Sequence, residues 1–214
     1  MAITFGRPCK TNLQKCRGLE TPDINLLIIL VKESVESTAG AYRFLKGMNL
    51  WKKNIYNQEI VIHQKSTFVF KLQGHLWSII FKPLLSINSI LEIEDAQGIS
   101  EMLGTDTIYC VVSDTSGITH YQLFSNGTLV ERLYSENGTT EFISQRQPIN
   151  VNEIRPYKFL NDFIQEQNSY IPMLIGDYPR DEQKFVLGNR TILTFENLFP
   201  SEVYRMDYLA QNTT

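Results

Sequence analysis

The stretch from residue 108 to residue 134 limits the fold more than any other part of the chain, because alternating apolar positions meet turn-forming residues there. Residues 114–117 have the composition of a four-residue turn, which places Cys110 opposite Tyr121 on one face. The Asn-Gly pair at 126–127 is a strong signal for a two-residue hairpin loop, and apolar residues resume shortly after it. We therefore predict three consecutive antiparallel strands with one buried face.

A second hairpin is predicted within residues 66–83. A turn at Gln73 and Gly74 would place Phe70 opposite Trp77. One face of this hairpin would then collect nearly all of its large apolar side chains, and that agreement between turn and pattern supports the register.

One segment near the N-terminus carries conflicting signals. Thr21 and Pro22 are typical of the start of a helix, and Gly47 is typical of the residue that follows one, so we predict a helix over residues 22–46. The β-branched and apolar residues at 24–31 favour a buried strand there as the alternative.

The remaining segments complete the predicted order of elements. They are a helix at 88–103, a long polar loop at 135–155 with a short strand near Ile149, a helix from 156 that stops before Pro172, a strand pair at 184–195 and a short final helix from Ser201. This order predicts an α+β fold, in which an antiparallel β-sheet (hairpin plus three-stranded meander) is covered by helices on at least one face.

Length and charge distribution predict one domain with a basic tail. A chain of 214 residues with 43% hydrophobic residues can form one sizeable core. We predict a basic N-terminal tail over residues 1–20 and a single α+β domain over residues 21–214. The net charge of −3 argues against nucleic acid as the main partner, because that affinity requires many cationic groups. The basic residues of the tail are Arg7, Lys10, Lys15 and Arg17.

Cysteine content and apolar runs favour a soluble protein of the cytoplasm. The three cysteines cannot all pair with one another, and no histidine lies near Cys9 and Cys16 to complete a zinc site. The longest apolar run, residues 24–31, is far shorter than the ~20 residues that span a bilayer. We predict reduced thiols, a cytoplasmic location, no membrane association, no metal and no other cofactor.

Residues 111–117, Val-Val-Ser-Asp-Thr-Ser-Gly, resemble the active-site loop of aspartic proteases, in which apolar residues precede an aspartate, a threonine or serine, and a glycine. The resemblance implies Asp114 as a catalytic carboxylate. Ser116 stands where that family has glycine, and the sequence contains no second copy of the loop to supply the other aspartate of the catalytic pair. We therefore favour a plain hairpin turn at Asp114.

A nucleophile arrangement of Ser116, His120 and Asp114 is a second catalytic hypothesis, since a hydroxyl needs a base and that base needs an orienting carboxylate. The predicted strand register opposes this hypothesis. It places His120 opposite Val111, on the face away from Tyr121, and beside Leu133 on the next strand. A packed or half-exposed histidine is the favoured interpretation.

Residues 176–186 resemble the acid-x-Lys element of restriction-type nucleases, in which carboxylates hold a divalent metal and a lysine stabilises charge on the phosphate. The resemblance implies roles for Asp177, Glu182 and Lys184. The distance from Asp177 to that element is short for the family, and the surrounding order of elements does not obviously match it. The alternative is a solvated turn between two elements.

Two aromatic positions are candidates for ligand binding. His75 and Trp77 lie at the end of the predicted apolar hairpin face, where a ring could contact a ligand. The alternative for His75 is a histidine at the edge of the core, bonded to the backbone. Trp51, with Lys52 and Lys53, combines a stacking surface with positive charge.

The sequence lacks glycine-rich phosphate loops and spaced metal-ligand motifs, so binding hypotheses outweigh catalytic ones. We expect a non-enzymatic protein-binding or regulatory module, in which the polar segment 135–155 and the basic tail are the candidate recognition segments. The alternatives are a metal-dependent nuclease or other hydrolase, and a small-molecule or nucleic-acid binder.

Overall fold

The computed structural model describes residues 18–19, 25–62, 65–82, 91–113, 115–146, 148–172, 183–186 and 203–211; of Asn25 and residues 183–186 it describes the backbone alone. The strands are β1 (Gly18–Leu19), β2 (Asn25–Val31), β3 (Leu50–Lys52), β4 (Glu59–Ile62), β5 (Thr67–Leu72), β6 (Ser78–Phe81), β7 (Asp106–Ser113), β8 (Ile118–Ser125), β9 (Thr128–Glu136), β10 (Thr139–Ser144), β11 (Tyr170–Ile171), β12 (Gln183–Val186) and β13 (Val203–Ala210). The helices are α1 (Val35–Lys46), α2 (Ile93–Leu103) and α3 (Pro156–Glu166), and a 3-10 turn covers Val151–Glu153.

Nine strands form one antiparallel sheet in the order β10-β9-β8-β7-β2-β6-β5-β13-β3. In the described part of the chain, β1 pairs with β11 and β12 pairs with β4 in two further small sheets. The predicted α+β class with an antiparallel sheet is confirmed. The sheet is larger than the predicted hairpin plus three-stranded meander, because segments predicted as helix or loop also supply strands.

The predicted register of β7 with β8 is confirmed. Cys110 lies opposite Tyr121, and Val111 lies opposite His120. The hairpin loop between β8 and β9 is the Asn-Gly pair at 126–127, whose φ angles of 49° and 76° are the positive values that a two-residue loop requires. The neighbour of His120 on β9 is Tyr134 rather than the predicted Leu133.

The predicted register of β5 with β6 is wrong by two residues on β6. Phe70 lies opposite Ile79 instead of Trp77, so residues 73–77 form a five-residue loop. The physical cause is the indole of Trp77, which is buried and donates a hydrogen bond to the carbonyl oxygen of Gln167 at 2.8 Å. That bond takes Trp77 out of the strand ladder.

The predicted helix over 22–46 is wrong at residues 25–31, where the alternative of a buried strand is observed. Strand β2 lies between β6 and β7, and its alternate residues join the apolar clusters on the two faces of the sheet. Because both faces are buried, an uninterrupted apolar run suits this strand. Helix α1 begins only after Ser34, whose hydroxyl accepts a hydrogen bond from the backbone N–H of Ser37. It ends at Gly47 in the left-handed conformation, as predicted.

Two further predictions require correction. The polar segment 135–155 is not one long loop, because Asn137 and Gly138 form a two-residue turn that leads into β10. The final helix from Ser201 is replaced by β13, which is buried between β5 and β3. The predicted turn at 188–189 lies outside the described residues, and the observed partner of β12 is β4.

The core consists of two apolar clusters, one on each face of the sheet. Alternate residues of β2 divide between them: Ile28 and Leu30 join one cluster, and Ile29 and Val31 join the other. Side chains of α3 pack in the first cluster, while side chains of α1 and α2 pack in the second. Because successive strand residues point to opposite faces, one set of alternate residues faces α3 and the other set faces α1 and α2.

Candidate functional site

A cleft of about 520 Å³ lies between the start of α1, the loop after β5 and the first residues of β13. Its volume falls within the range of known ligand sites. Its lining residues are Ser34, Val35, Glu36, Lys71, Leu72, Gln73, Gly74, His75, Tyr204 and Arg205. Because three distant parts of the sequence meet here, the cleft depends on the complete arrangement of β5, β13 and α1.

The amine of Lys71 is the least compensated charge of this cleft. It donates a hydrogen bond of 3.2 Å to the carbonyl oxygen of Glu33, which also accepts from the hydroxyl of Ser78 at 2.7 Å. Partial burial lowers the pKa of Lys71, and the charge of Glu33 opposes that shift. Within the described part of the chain, no carboxylate forms an ion pair with this amine.

Arg205 is the cross-strand neighbour of Lys71, on β13, and its guanidinium is held by a buried carboxylate. Its Nε and one terminal nitrogen donate to the two carboxylate oxygens of buried Asp207 at 2.8 and 2.9 Å. Its other terminal nitrogen lies 3.5 Å from Glu36. The Asp207 carboxylate raises the pKa of Arg205, and the ammonium of Lys53 lowers the pKa of Glu36. Asp207 therefore neutralises most of the positive charge of Arg205.

Exposed apolar and aromatic side chains stand beside the cleft. Tyr204 exposes 66% of its surface and lines the cleft, and Leu76, in the neighbouring loop, exposes 57%. Tyrosine and arginine are the residue types that most often dominate protein interfaces. The adjacent Tyr204 and Arg205 thus give the β13 wall the composition of a binding surface.

Of the two predicted binding residues, only His75 reaches the cleft. His75 is 6% exposed, its backbone N–H bonds the carbonyl of Leu72, and its ring centroid lies 6.4 Å from that of Tyr170. Trp77 is 1% exposed and lies in the core below. A ligand role for His75 stays a prediction, whereas the buried indole of Trp77 offers no surface for stacking.

His120 lies elsewhere, on β8, in a packed aromatic group. Its ring meets those of Tyr109 and Tyr134 edge-on at centroid distances of 5.6 and 5.3 Å, and a ring nitrogen lies 3.1 Å from the side-chain nitrogen of Gln122. Burial lowers the pKa of His120 to about 4, and the charge of Arg132 acts in the same direction. The ring is therefore uncharged at neutral pH.

The structure gives no distance between the other predicted catalytic residues and either His75 or His120. Asp114, Asp177 and Glu182 lie outside the described residues. Lys184 lies on β12, where its backbone pairs with Val61, and its side chain is outside the description. The nuclease and hydrolase roles of these residues therefore stay predictions.

The predicted stacking surface at Trp51 is occupied by the protein itself. The Lys53 ammonium lies 4.4 Å from the ring centroid, and the guanidinium carbon of Arg43 lies 5.9 Å from it. The indole N–H donates to Asp207 at 2.9 Å. These contacts fix Trp51 as part of the support beneath Arg205.

Lys71, Tyr204 and Arg205 are the site residues that sequence reasoning missed. The alternation of β5 already directed Lys71 away from the apolar face, which was a usable signal. Tyr204 and Arg205 were hidden because their segment was interpreted as a helix. Only the pairing of β13 with β5 brings them beside Lys71.

The described residues contain no group of three or more His, Cys, Asp or Glu side chains placed to hold a metal ion. Among them, no helix is both long and apolar enough to cross a membrane. Comparison with protein-family models, with curated proteins and with solved structures found no match.

Proposed function

We propose that this protein is a non-enzymatic protein-binding module, and that the cleft beside α1 receives an acidic segment of its partner. The observation that carries the proposal is the amine of Lys71, which lines the cleft and bonds a backbone carbonyl instead of a carboxylate. A carboxylate of the partner would supply the counter-charge.

The energetics of Lys71 favour an acidic partner. Partial burial makes the ammonium form less favourable, as the lowered pKa indicates. A carboxylate placed against the amine would recover that free energy, because charge-assisted hydrogen bonds are stronger than those to neutral acceptors. A neutral partner would leave the amine partly desolvated.

The neighbouring side chains supply the rest of a recognition surface. Tyr204 offers a large exposed ring with few rotatable bonds, so little conformational entropy is lost when it is covered. Arg205 is already fixed by Asp207, which removes the cost of ordering it on binding. Leu76 extends the apolar contact along the rim.

The basic tail predicted over residues 1–20 is a second recognition segment in this proposal. It carries the same sign of charge as Lys71 and would suit the same acidic partner. Removal of residues 1–17, which keeps β1 and the buried Leu19, is expected to weaken partner binding without abolishing it, since the cleft lies within residues 34–205.

A phage-displayed peptide library tests the proposal. We expect the wild-type protein to enrich peptides that share an acidic residue next to an apolar one, and Lys71→Glu and Tyr204→Ala to lose that enrichment. Lys158→Glu, on the exposed face of α3, is the matched charge control, and Tyr56→Ala is the matched aromatic control. Enrichment of acidic peptides that survives Lys71→Glu would overturn the proposal, as would no enrichment by the wild type.

A further inference from the structure

Two hairpin loops of this chain are built from the same sequence. Asn-Gly-Thr occurs at 126–128, between β8 and β9, and again at 137–139, between β9 and β10. The φ angles of asparagine and glycine are 49° and 76° in the first loop and 49° and 82° in the second. A difference in chemical reactivity between the two loops must therefore come from their surroundings.

The Asn-Gly pair is chemically labile. The backbone nitrogen of the glycine can attack Cγ of the asparagine, because glycine has no side chain to hinder the approach. A bond forms between that nitrogen and Cγ, the bond from Cγ to Nδ2 breaks, and Nδ2 leaves as ammonia with the proton of the glycine N–H. Water then adds across one of the two C–N bonds of the cyclic imide. Aspartate results when the new bond to Cγ breaks, and isoaspartate results when the bond to the backbone carbonyl carbon breaks.

The loop at 126–127 is held by helix α2, which opposes this attack. The hydroxyl of Ser100 accepts a hydrogen bond of 3.0 Å from the N–H of Gly127. The side-chain N–H of Gln97 donates to the carbonyl oxygen of Gly127 at 3.0 Å. A Cβ at Gly127 would lie 2.8 Å from Cβ of Glu101, so the loop also packs closely against the helix. The attacking nitrogen is therefore already bonded, and the loop cannot open without breaking two hydrogen bonds to α2.

The surroundings of the loop at 137–138 are open. Gly138 is exposed, and in the part of the chain that the structure describes its N–H donates no hydrogen bond. A Cβ at Gly138 would meet no atom within 4 Å apart from its neighbours in the chain. The side chains of Asn126 and Asn137 are both exposed, so the two loops differ at the glycine nitrogen rather than at the asparagine.

We infer that Asn137 is a site of spontaneous covalent modification in the folded protein, by deamidation to aspartate and isoaspartate, and that α2 protects Asn126 from the same reaction. The loop must open for the reaction, because the glycine nitrogen has to approach Cγ. Among the described residues, opening at 137–138 breaks no hydrogen bond to another element. Opening at 126–127 breaks the bonds to Ser100 and Gln97.

Modification changes both the charge and the geometry of the β9–β10 hairpin. Either product adds a negative charge next to Glu136, whose carboxylate already accepts from the hydroxyl of Tyr134. Isoaspartate also inserts one carbon atom into the backbone of the loop, and the pairing of Glu136 with Thr139 depends on a loop of two residues. The start of β10 is therefore the part of the sheet that isoaspartate would loosen.

Mass spectrometry of peptides from the full-length protein, incubated at mildly alkaline pH, measures the mass gain at each asparagine separately. We expect Asn137 to convert at least about tenfold faster than Asn126 in the folded protein, since the two bonds of the Asn126 loop must break first. In guanidinium chloride, where neither loop is folded, the two Asn-Gly-Thr sequences should convert at similar rates. Equal rates in the folded protein would overturn the inference, and so would a difference in guanidinium chloride as large as that in the folded protein.

Two variants of α2 test the cause of the protection. Gln97 is exposed, so Gln97→Ala removes its bond to Gly127 without disturbing the core, and Ser100→Ala removes the acceptor of the Gly127 N–H. Each variant should speed the conversion of Asn126 about fivefold and leave that of Asn137 unchanged.

Glu94→Ala, at an exposed position near the start of α2, is the matched control and should change neither rate. A conversion rate of Asn126 that neither Gln97→Ala nor Ser100→Ala raises would contradict the protection by α2. An equal rise at Asn126 and Asn137 would contradict it as well, because general unfolding would then explain the result.

Discussion

The nine-stranded sheet buries one carboxylate on the strand next to each of its edges, and the two are held in different ways. On β13, Asp207 is fully buried and accepts from four N–H groups: the indole of Trp51, the backbone of Asn54 and two nitrogens of Arg205. All four donor distances lie between 2.8 and 2.9 Å. This carboxylate is surrounded by donors that cannot become acceptors.

On β9, Glu131 is 1% exposed and relies mainly on hydroxyl groups. It accepts from the hydroxyl of Tyr121 at 2.7 Å and from that of Ser144 at 2.6 Å. The guanidinium of Arg146 lies farther away, at 3.5 Å, and also pairs with Glu166 at the surface. A hydroxyl can rotate and accept a hydrogen bond, whereas an N–H group cannot.

Two carboxylates that are equally buried can therefore differ in how much stability the protein loses when their charge is removed. The Asp207 site requires a charged acceptor, because its donors are N–H groups of Trp51 on β3, of Asn54 just after β3 and of Arg205 on β13. The Glu131 site can adjust to a neutral side chain by rotating its hydroxyl groups. Sequence position gives no hint of this difference, since both residues are acidic positions within strands.

The largest expected effect is that of Asp207→Asn. Each carboxylate oxygen accepts from two of the four donors, so the amide N–H₂ would face two N–H groups with no acceptor between them. Within the described part of the chain, the charge of Arg205 would keep only the exposed carboxylate of Glu36 at 3.5 Å. We expect a loss of about 4 kcal/mol in the free energy of unfolding, measured by urea denaturation. A loss below about 1 kcal/mol would remove the distinction between the two sites.

The second effect is a pH dependence confined to the β8–β9 end. The pKa of His120 in the folded state is about 4, below the ordinary value of 6.5. Between these values the unfolded chain takes up a proton that the folded chain excludes, so stability is complete above pH 6.5 and falls as the pH drops towards 4. After allowance for solvent near the ring, we expect a loss of about 2 kcal/mol.

His120→Gln separates this contribution from that of the carboxylates. The groups that face the ring are Tyr109, Tyr134, Gln122 and Arg132, and none of the first three titrates between pH 4 and 6.5. The variant should show a shallower decline in unfolding free energy over this pH range than the wild type. Parallel curves would contradict the assignment to His120.

A smaller effect is expected for Glu131→Gln. The side chain keeps its shape, and the hydroxyls of Tyr121 and Ser144 can each accept from the new amide N–H₂ or donate to its oxygen. We expect a loss of about 1 kcal/mol in the free energy of unfolding under the conditions used for Asp207→Asn. A loss as large as that of Asp207→Asn would show that the hydroxyl groups do not adjust.

The smallest effect separates the two arginines. Arg146 is partly exposed and reaches Glu131 at 3.5 Å, so Arg146→Met should cost about 0.5 kcal/mol. Arg205→Met removes two short bonds to a fully buried carboxylate and should cost several times more. Chemical denaturation of both variants side by side gives the ratio, and similar losses would contradict the comparison.

Elements defined by neighbouring residues were predictable from the sequence, and those defined by distant contacts were not. The register of β7 with β8 follows from the short turn between them, and it placed Cys110 opposite Tyr121 correctly. The register of β5 with β6 failed because the bond that displaces Trp77 comes from Gln167, 90 residues away. No local pattern contains that information.

The candidate site also depends on contacts between residues that are distant in the sequence. Asp207 interrupts an apolar run, which disguised β13, and its donors Trp51 and Asn54 lie 156 and 153 residues away. The cleft needs β13 in place, so the positions of Tyr204 and Arg205 could not be inferred from the sequence. The predicted His75 reached the cleft because its loop is adjacent to β5.

The position of β13 has a consequence for how the protein is made. Strand β13 follows every other strand of the nine-stranded sheet along the chain, yet it lies between β5 and β3. During translation, β7 to β10 can pair in turn as they leave the ribosome. Strand β3 cannot pair with β13 until residues 203–210 have been synthesised. A nascent chain therefore carries an open seam between β5 and β3, with the indole of Trp51 and the amide of Asn54 left to water until the last strand inserts.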